Sequence, residues 1–393
     1  MNTLPAPQVQ TAGSRPLVNL ALQGGGSHGA FTWGVLDALL EDGRIDIEGI
    51  SGTSAGAMNA VVLAHGMAQS EGKPLASRHD AARQALTTFW NGIVQLGAFS
   101  SSLSQSMSLW QRAPFNVLFA QLGGGIWPAA GWADEVARYW SGRLSPYQSN
   151  PLDINPLKDF LESQVDFKRL AAARHPATPR VFVVATRVTT GKAEVFSGKR
   201  LTARAVMASA CLPQVFRAVE IEDDHFWDGG YTGNPALHPL IYECRSRDIM
   251  LVQVNPIQRG KVPSQPGEIA DRVNEITFNA GLVAEMRAID FVKRLLAEGK
   301  LDPAQYKDVL MHRIDGGDEL EKYNASTKSS TQASLIHALR DLGKLCAKEW
   351  LLKRYALLGA KCSVDIARDY LDDLRMPVER SPSASGRAHD ILP

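Results

Sequence analysis

The chain has 393 residues, and its 42 Lys and Arg residues against 41 Asp and Glu leave a formal net charge of +1. A balance so close to zero excludes the overall positive field by which most nucleic-acid-binding proteins are recognised. The 45% hydrophobic content is typical of a globular enzyme with a full core. Four cysteines without C-x-x-C spacing disfavour a zinc site or a disulfide scaffold, and they indicate a reducing compartment.

The two ends of the chain differ in composition from the rest. Residues 1–15 are rich in Pro, Gln, Ala and Ser, which predicts a disordered leader, and they lack the apolar core of a secretory signal. Residues 361–393 are predicted as a tail that is largely disordered at its end. No stretch reaches the ~20 apolar residues that span a bilayer. We therefore expect a cytoplasmic protein that is at most peripheral to a membrane or lipid surface.

Strands alternate with helices between these ends, and we predict one domain over residues 16–360. Apolar residues at helical spacing follow the first strand, and a segment that is apolar on nearly every side, typical of a buried helix, follows the second. Two long helices are predicted near Leu282–Leu296 and Leu335–Trp350. This alternation predicts an α/β fold, a three-layer sandwich with a mainly parallel central sheet. The predicted buried strands cover 17–22, 45–51, 180–188, 248–256 and 308–314.

Residues 99–150 interrupt the alternation with Ser, Gly and Pro and with four of the eight tryptophans of the chain. We predict an aromatic-rich insertion of helix and loop. One interpretation is a subdomain whose rings pack on the main core, and the other is a cap or lid over an apolar substrate site.

The first strand ends in a glycine turn. Gly24, Gly26 and Gly29 have the G-x-G-x-x-G spacing that cradles a dinucleotide pyrophosphate, but such a turn can also aim backbone N–H groups at an oxyanion. A dinucleotide site needs an acidic residue at the tip of the second strand. Asp46 and Glu48 lie instead at its start and middle. The oxyanion interpretation is therefore the better one, provided that a nucleophile lies nearby.

A second glycine turn supplies a candidate nucleophile. Gly52, Ser54 and Gly56 form G-x-S-x-G between a predicted strand and an apolar helix, which is the context of a nucleophile elbow. The helix that begins at Ala55 would direct the positive end of its dipole at the serine. Because neighbouring parallel strands end at the same sheet edge, we expect Gly24 to lie beside Ser54.

Asp228 is the candidate base, although the local pattern alone favours an ordinary Asp-Gly turn. The motifs GGGSHG, GTSAG, ASACLPQVF (208–216) and DGGYTGNPAL (228–237) occur in this order. Together they resemble the patatin-like phospholipases and lipid acyl hydrolases, over roughly residues 17–260. The resemblance implies Ser54 as nucleophile and Asp228 as base in a dyad, an acyl-enzyme intermediate, and an oxyanion hole from the turn of Gly24, Gly25 and Gly26.

The resemblance further implies a lipid or other acyl-ester substrate. No His/Asp/Glu cluster has the spacing of metal ligands, so we expect no metal, and we expect no cofactor. An aspartate has an ordinary pKa near ~3.9, which is low for a general base, and burial under a cap would raise it. The family usually has Arg or Lys where this chain has His28, so a neutral imidazole would supply less positive charge. A loop-capping hydrogen bond is the alternative role of His28. The supporting loop residues are His28, Gly29, Gly52, Gly56, Gly229 and Gly230.

Three alternatives stay open. An α/β-hydrolase with a Ser-Asp-His triad would use His312, since His225 and His238 have the pattern of loop residues. A nucleotide-binding module would use the first glycine turn, and a non-catalytic lipid- or granule-binding protein would keep the fold without turnover. The sequence leaves open the ester that is cleaved, hydrolysis against acyl transfer, and the oligomeric state.

Overall fold

The computed structural model describes residues 15–121, 147, 155–173, 178–213, 215–323 and 325–371. Eight strands in these residues form one sheet: β1 (Leu17–Leu22), β2 (Asp46–Gly52), β3 (Arg180–Arg187), β4 (Ala193–Ser197), β5 (Val219–Ile221), β6 (Asp224–Asp228), β7 (Asp248–Gln253) and β8 (Leu310–Asp315). The described helices are α1 (Gly29–Asp42), α2 (Ala55–Gln69), α3 (Leu75–Gln121), α4 (Pro156–Gln164), α5 (Phe167–Ala172), α6 (Ala203–Ser209), α7 (His238–Glu243), α8 (Pro266–Ala297), α9 (Gly317–Glu321), α10 (Ala333–Arg354) and α11 (Ile366–Leu371).

The strand order is β5-β6-β3-β2-β1-β7-β8, and β4 pairs with β3 outside this path. The five strands from β3 to β8 in this order are parallel, whereas β4, β5 and β6 are antiparallel to their partners. The predicted mainly parallel sheet is therefore confirmed, and each predicted buried strand is present. β1 lies between β2 and β7, so the strand order reverses there, at the position where open α/β sheets form their binding crevices.

The register of β3 brings two neighbours to one edge of this strand. Gly52 at the end of β2 pairs with Val183, and Asp228 at the end of β6 pairs with Ala185, only two residues further along. Since β4 pairs with both of these β3 residues, it occupies the other edge. β2 and β6 therefore lie on the same side of β3, end to end, and Asp228 at the end of β6 lies close to the point where β2 ends and the chain enters α2.

Apolar side chains alternate between the two faces of the sheet, as strands require. Leu20 and Leu22 of β1 belong to one buried cluster, with residues of α1, α2, α3 and α10, while Ala21 belongs to a second cluster with residues of α7, α8 and α11. Helices thus cover both faces and make three layers. Gly34 lets α1 approach α10 closely, because an added Cβ would lie 1.9 Å from the carbonyl oxygen of Arg340.

The segments with unusual composition are described in part. Residues 99–121 form the C-terminal part of α3, so the beginning of the predicted insertion continues a helix that starts at Leu75. The rest of that insertion, apart from Tyr147, lies outside the described residues, as do 1–14 and 372–393. α11 follows the predicted domain end at 360, and it packs into the second cluster. Among the described helices, none is both long and apolar enough to cross a bilayer.

Candidate active site

Ser54 lies in a sharp turn between β2 and α2. Its backbone has a φ of 53° and a ψ of −121°, in the left-handed region that non-glycine residues rarely adopt. The turn is tight, because a Cβ added to Gly52 would lie 2.6 Å from the carbonyl oxygen of Gly56. A Cβ on Gly56 would in turn lie 2.2 Å from the carbonyl oxygen of Leu22. Strain and small neighbours together give the geometry of a nucleophile elbow.

The glycine turn after β1 contacts this elbow, as the sequence predicts. A Cβ added to Gly24 would lie 2.8 Å from Cβ of Ser54, and one added to Gly29 would lie 2.6 Å from Cβ of Ala55. Gly26 has a φ of 56°, which favours glycine. Only residues without a side chain therefore allow this turn to approach the serine so closely.

The N–H groups of the glycine turn have different partners. The amide of Gly24 donates to Oδ1 of Asn234 at 2.7 Å, so it is not free to bind an oxyanion. The amides of Gly25 and Gly26 have no acceptor among the residues that the structure describes. Ala55 is the first residue of α2, where an amide has no acceptor within its own helix. The candidate oxyanion donors are therefore Gly25, Gly26 and Ala55, and the last was not predicted from the sequence.

Asp228 lies at the end of β6 and is 1% exposed. Its Oδ1 accepts a hydrogen bond from the amide of Gly230 at 2.7 Å, and the hydroxyl of Ser54 lies near enough to stabilise the charged carboxylate. Burial raises the pKa of Asp228 from 3.8 to about 7, although the Gly230 amide and the Ser54 hydroxyl lower it in part. The carboxylate thus lies beside the serine and has a pKa suited to accepting a proton near neutral pH.

The segment ASACLP fixes the backbone of both residues. Oγ of Ser209 accepts a hydrogen bond from the amide of Ser54 at 2.9 Å, and the carbonyl of Cys211 accepts one from the amide of Asp228 at 2.7 Å. The hydroxyl of Thr186 donates to the carbonyl of Asp228 at 2.8 Å. This segment therefore holds the backbone of both residues through a side-chain hydroxyl and a main-chain carbonyl.

The remaining predicted glycines surround Asp228. A Cβ added to Gly229 would lie 2.1 Å from the carbonyl oxygen of Val184, and one added to Gly230 would lie 2.9 Å from the ring of Phe278. These contacts exclude any larger side chain and hold the turn that carries the carboxylate against β3 and α8.

His28 is 2% exposed, and its Nε2 is 2.7 Å from Oγ1 of Thr327. Burial, together with the nearby charges of Lys328 and Arg259, lowers the pKa of His28 from 6.5 to about 3. The imidazole is therefore neutral at physiological pH and adds no positive charge to the glycine turn. Lys328 and Arg259, which the sequence analysis missed, bring cationic groups to this part of the site.

His312, the histidine of the alternative triad, lies toward the opposite end of the parallel strands from Ser54. Nε2 of His312 is 2.9 Å from Oδ1 of Asp248, and both residues are buried. Asp248 pairs with Val18 near the start of β1, whereas the glycine turn follows the end of β1. His238 contacts Glu285 instead, and His225 is exposed on β6. The described structure thus brings none of these three imidazoles to Ser54.

Comparison with known proteins identifies the family of this chain. Residues 20–241, more than half of the chain, match the family model for the patatin-like phospholipases, and they include both glycine turns and Asp228. The fold and the match define a lipid ester hydrolase of the α/β class. The chain belongs to the patatin-like phospholipase family.

Two solved structures are similar over most of this chain. VipD from Legionella pneumophila is 14% identical with a TM-score of 0.40, and the alignment covers 94% of this chain and 76% of that chain. ExoU, solved as a heterodimer with SpcU of the Pseudomonas aeruginosa type III secretion system, is 16% identical with a TM-score of 0.32. The alignment covers 91% of this chain and 58% of that one. No curated protein gives a significant match.

Proposed function

We propose that this protein is a serine lipid acyl hydrolase in which Ser54 is the nucleophile and Asp228 is the general base. One observation carries the proposal. A serine in a strained elbow lies beside a buried carboxylate, whose charged form its hydroxyl stabilises and whose pKa is about 7. A serine is a weak nucleophile until a base accepts its proton, and a base is most effective when its pKa is near the working pH.

The first half of the reaction acylates the serine. The carboxylate of Asp228 accepts the hydroxyl proton of Ser54 while Oγ attacks the carbonyl carbon of the ester. The resulting oxyanion would be held by the free amides of Gly25 and Gly26 and by the amide of Ala55, at the N-terminus of α2. Collapse of this tetrahedral intermediate breaks the bond to the alcohol, which takes the proton from Asp228. The acyl group remains as an ester on Ser54.

The second half returns the enzyme to its starting state. Asp228 accepts a proton from a water molecule whose oxygen attacks the acyl carbonyl. The second tetrahedral intermediate collapses, Oγ of Ser54 leaves and recovers the proton, and a carboxylic acid is released. The same donors stabilise both oxyanions, so one site serves both steps. For a water-insoluble ester, such as a phospholipid, the protein would meet its substrate at a membrane or other lipid surface.

Labelling with a fluorophosphonate tests the nucleophile and the base together. We expect the wild-type protein to be labelled, the Ser54→Ala variant to remain unlabelled, and the Asp228→Asn variant to be labelled about 10²-fold more slowly or worse. Ser70→Ala, at the other end of α2, is the matched serine control, and His312→Gln tests the alternative triad. Both should be labelled at the wild-type rate, with folding checked by circular dichroism.

Two results would contradict the proposal. Labelling that survives Ser54→Ala would identify a different nucleophile. A folded wild-type protein that is unlabelled both alone and with phospholipid vesicles would be a non-catalytic lipid-binding protein, if the vesicles retain it. After successful labelling, release of fatty acid from phospholipid and from neutral glyceride vesicles would identify the ester.

A further inference from the structure

A chain of two hydrogen bonds connects a cation to the glycine turn. Nζ of Lys328 donates to Oδ1 of Asn255 at 2.7 Å, and Nδ2 of Asn255 donates to the carbonyl oxygen of Gly24 at 2.7 Å. That carbonyl belongs to the same peptide unit as the amide of Gly25. The chain therefore ends on the carbonyl oxygen of the peptide whose N–H group, that of Gly25, is a candidate oxyanion donor.

The amide orientation of Asn255 follows from its partners. An ammonium group can only donate, so the atom of Asn255 that faces Lys328 is the oxygen, and its NH2 group faces Gly24. Asn255 is completely buried, and its backbone amide donates to Oε1 of Gln23 at 2.9 Å. The side chain is thus fixed in one orientation, with the cation on one side and the glycine turn on the other.

Lys328 also touches the turn directly. A Cβ added to Gly26 would lie 2.2 Å from the carbonyl oxygen of Lys328, so the backbone of this residue limits the space at the turn. One residue of the short helical segment Ala325–Ser329 therefore both shapes the glycine turn and directs a charge toward it. Asn255 and Lys328 both lie beyond the residues that match the family model.

The charge of Lys328 is not cancelled by a direct ion pair with any described residue. Glu275 is 3% exposed and forms its ion pairs with Arg259 and Arg272. The pKa of Lys328 is lowered mainly by burial and also by Arg259, while Glu275 and Asp271 act against this. The direct partner of its ammonium group is the neutral amide of Asn255, through which the charge acts on Gly24.

We propose that Lys328 acts through Asn255 to polarise the peptide between Gly24 and Gly25, which strengthens the amide of Gly25 as a donor to the oxyanion. Successive hydrogen bonds in a protein interior polarise one another, and a charged end increases this effect. Lys328 is therefore a positioning and polarising residue that does not itself touch the substrate. This inference rests on the proposed function, because it assigns a role in the same reaction.

The test measures kcat and KM for a soluble short-chain p-nitrophenyl ester. We expect Lys328→Met to lower kcat about 10-fold, less than the 10²–10³-fold that removal of a whole oxyanion donor costs. KM should stay close to the wild-type value, since the effect belongs to the transition state. Lys328→Arg should restore most of kcat. Lys322→Met, at an exposed lysine of the preceding segment that pairs with Glu319, is the matched control and should behave as wild type.

A double-mutant cycle tests whether Asn255 carries the effect. Asn255→Ala should lower kcat to a similar extent, and the double variant with Lys328→Met should be little worse than either single variant. Additive losses would overturn the inference, as would a wild-type kcat in Lys328→Met or in Asn255→Ala. If Lys328→Met fails to fold, Asn255→Ala decides the question, and a wild-type kcat in that variant overturns the inference. A wild-type protein with neither labelling nor turnover would reject the proposed function itself, whereas an active wild type with unaffected variants rejects only the role of Lys328.

Discussion

A buried carboxylate and a buried imidazole lie toward each end of the parallel strands, but the two ends pair these groups differently. At the amino edge, where the parallel strands begin, Nε2 of His312 lies 2.9 Å from Oδ1 of Asp248. The same oxygen accepts a hydrogen bond from the amide of Gly359 at 2.8 Å. At the carboxyl edge, where the parallel strands end, Asp228 accepts a hydrogen bond from the amide of Gly230, and the hydroxyl of Ser54 lies near its carboxylate. The buried histidine of that edge contacts Thr327 instead.

This difference separates a structural pair from a reactive group. A carboxylate that has an imidazole partner and an amide donor is satisfied within the fold, and losing either partner exposes the other to an unfavourable interior. A carboxylate that has only neutral partners keeps its affinity for a proton, because burial disfavours its charge. We therefore expect substitutions at the amino edge to change stability and substitutions at the carboxyl edge to change turnover.

The largest expected effect comes from the two matched Asp→Asn variants. Asp228→Asn should lower kcat about 10³-fold, because it removes the general base, while the protein stays folded. Asp248→Asn should keep a kcat close to wild type but lose about 1–3 kcal/mol of unfolding free energy, because it disturbs the buried hydrogen bonds to His312 and Gly359. Ester turnover and thermal denaturation of both variants measure this contrast. A variant of Asp248 with lost turnover and unchanged stability would remove the distinction between the edges.

A second pair of substitutions tests the backbone of the carboxyl edge. Gly26 and Gly72 both have positive φ values, of 56° and 84°, but an added Cβ meets nothing within 4 Å at Gly72 and meets the carbonyl of Lys328 at Gly26. Gly72→Ala should cost about 1 kcal/mol of stability, the cost of left-handed backbone, without changing kcat. Gly26→Ala should lower kcat about 10²-fold, since small displacements of catalytic groups are that costly. Equal kcat values in the two variants would show that the turn has no role in turnover.

Short-range patterns in the sequence predict much of this molecule. β1, β2 and the turns at their ends follow from apolar runs, glycine spacing and helix periodicity, and neighbouring parallel strands bring the turns together. The proximity of Ser54 and Asp228 depends instead on how β2 and β6 are aligned along β3. This alignment joins residues far apart in the chain, so no local sequence pattern predicts it. Asn255 and Lys328 were missed because each is an ordinary polar residue far along the chain from Gly24, with no motif to mark it.

The raised pKa of Asp228 predicts how turnover and stability change with pH. Because its pKa is about 7, kcat/KM of the wild type should rise with pH up to about 7 and then level off. The folded pKa lies above the ordinary 3.8, so the stability that protonated Asp228 contributes is present below about pH 4 and is lost as the pH rises through 7. Asp228→Asn removes this loss. The melting temperature of this variant relative to wild type should therefore increase between pH 4 and pH 8, and a constant difference would contradict the raised pKa.

The smallest effect is expected at His28, which is the buried histidine of the carboxyl edge. Its pKa of about 3 leaves it neutral above pH 5, so His28→Gln, which can keep a hydrogen bond to Thr327, should change neither kcat nor the pH profile appreciably. The folded pKa is below the ordinary 6.5, so stability is lost as the pH falls from 6.5 toward 3, and the variant should resist acid better than wild type.

His312→Gln is the matched variant at the other edge. It should lower the melting temperature at pH 7 more than His28→Gln does, because Asp248 loses its buried partner. Thermal denaturation of both variants at pH 5 and pH 7, together with kcat against pH, measures the contrast. If His28→Gln moved the pH profile of kcat, an imidazole would titrate beside the glycine turn. Asp228 would then not be the only titrating group in turnover, and the distinction between the edges by pairing would fail.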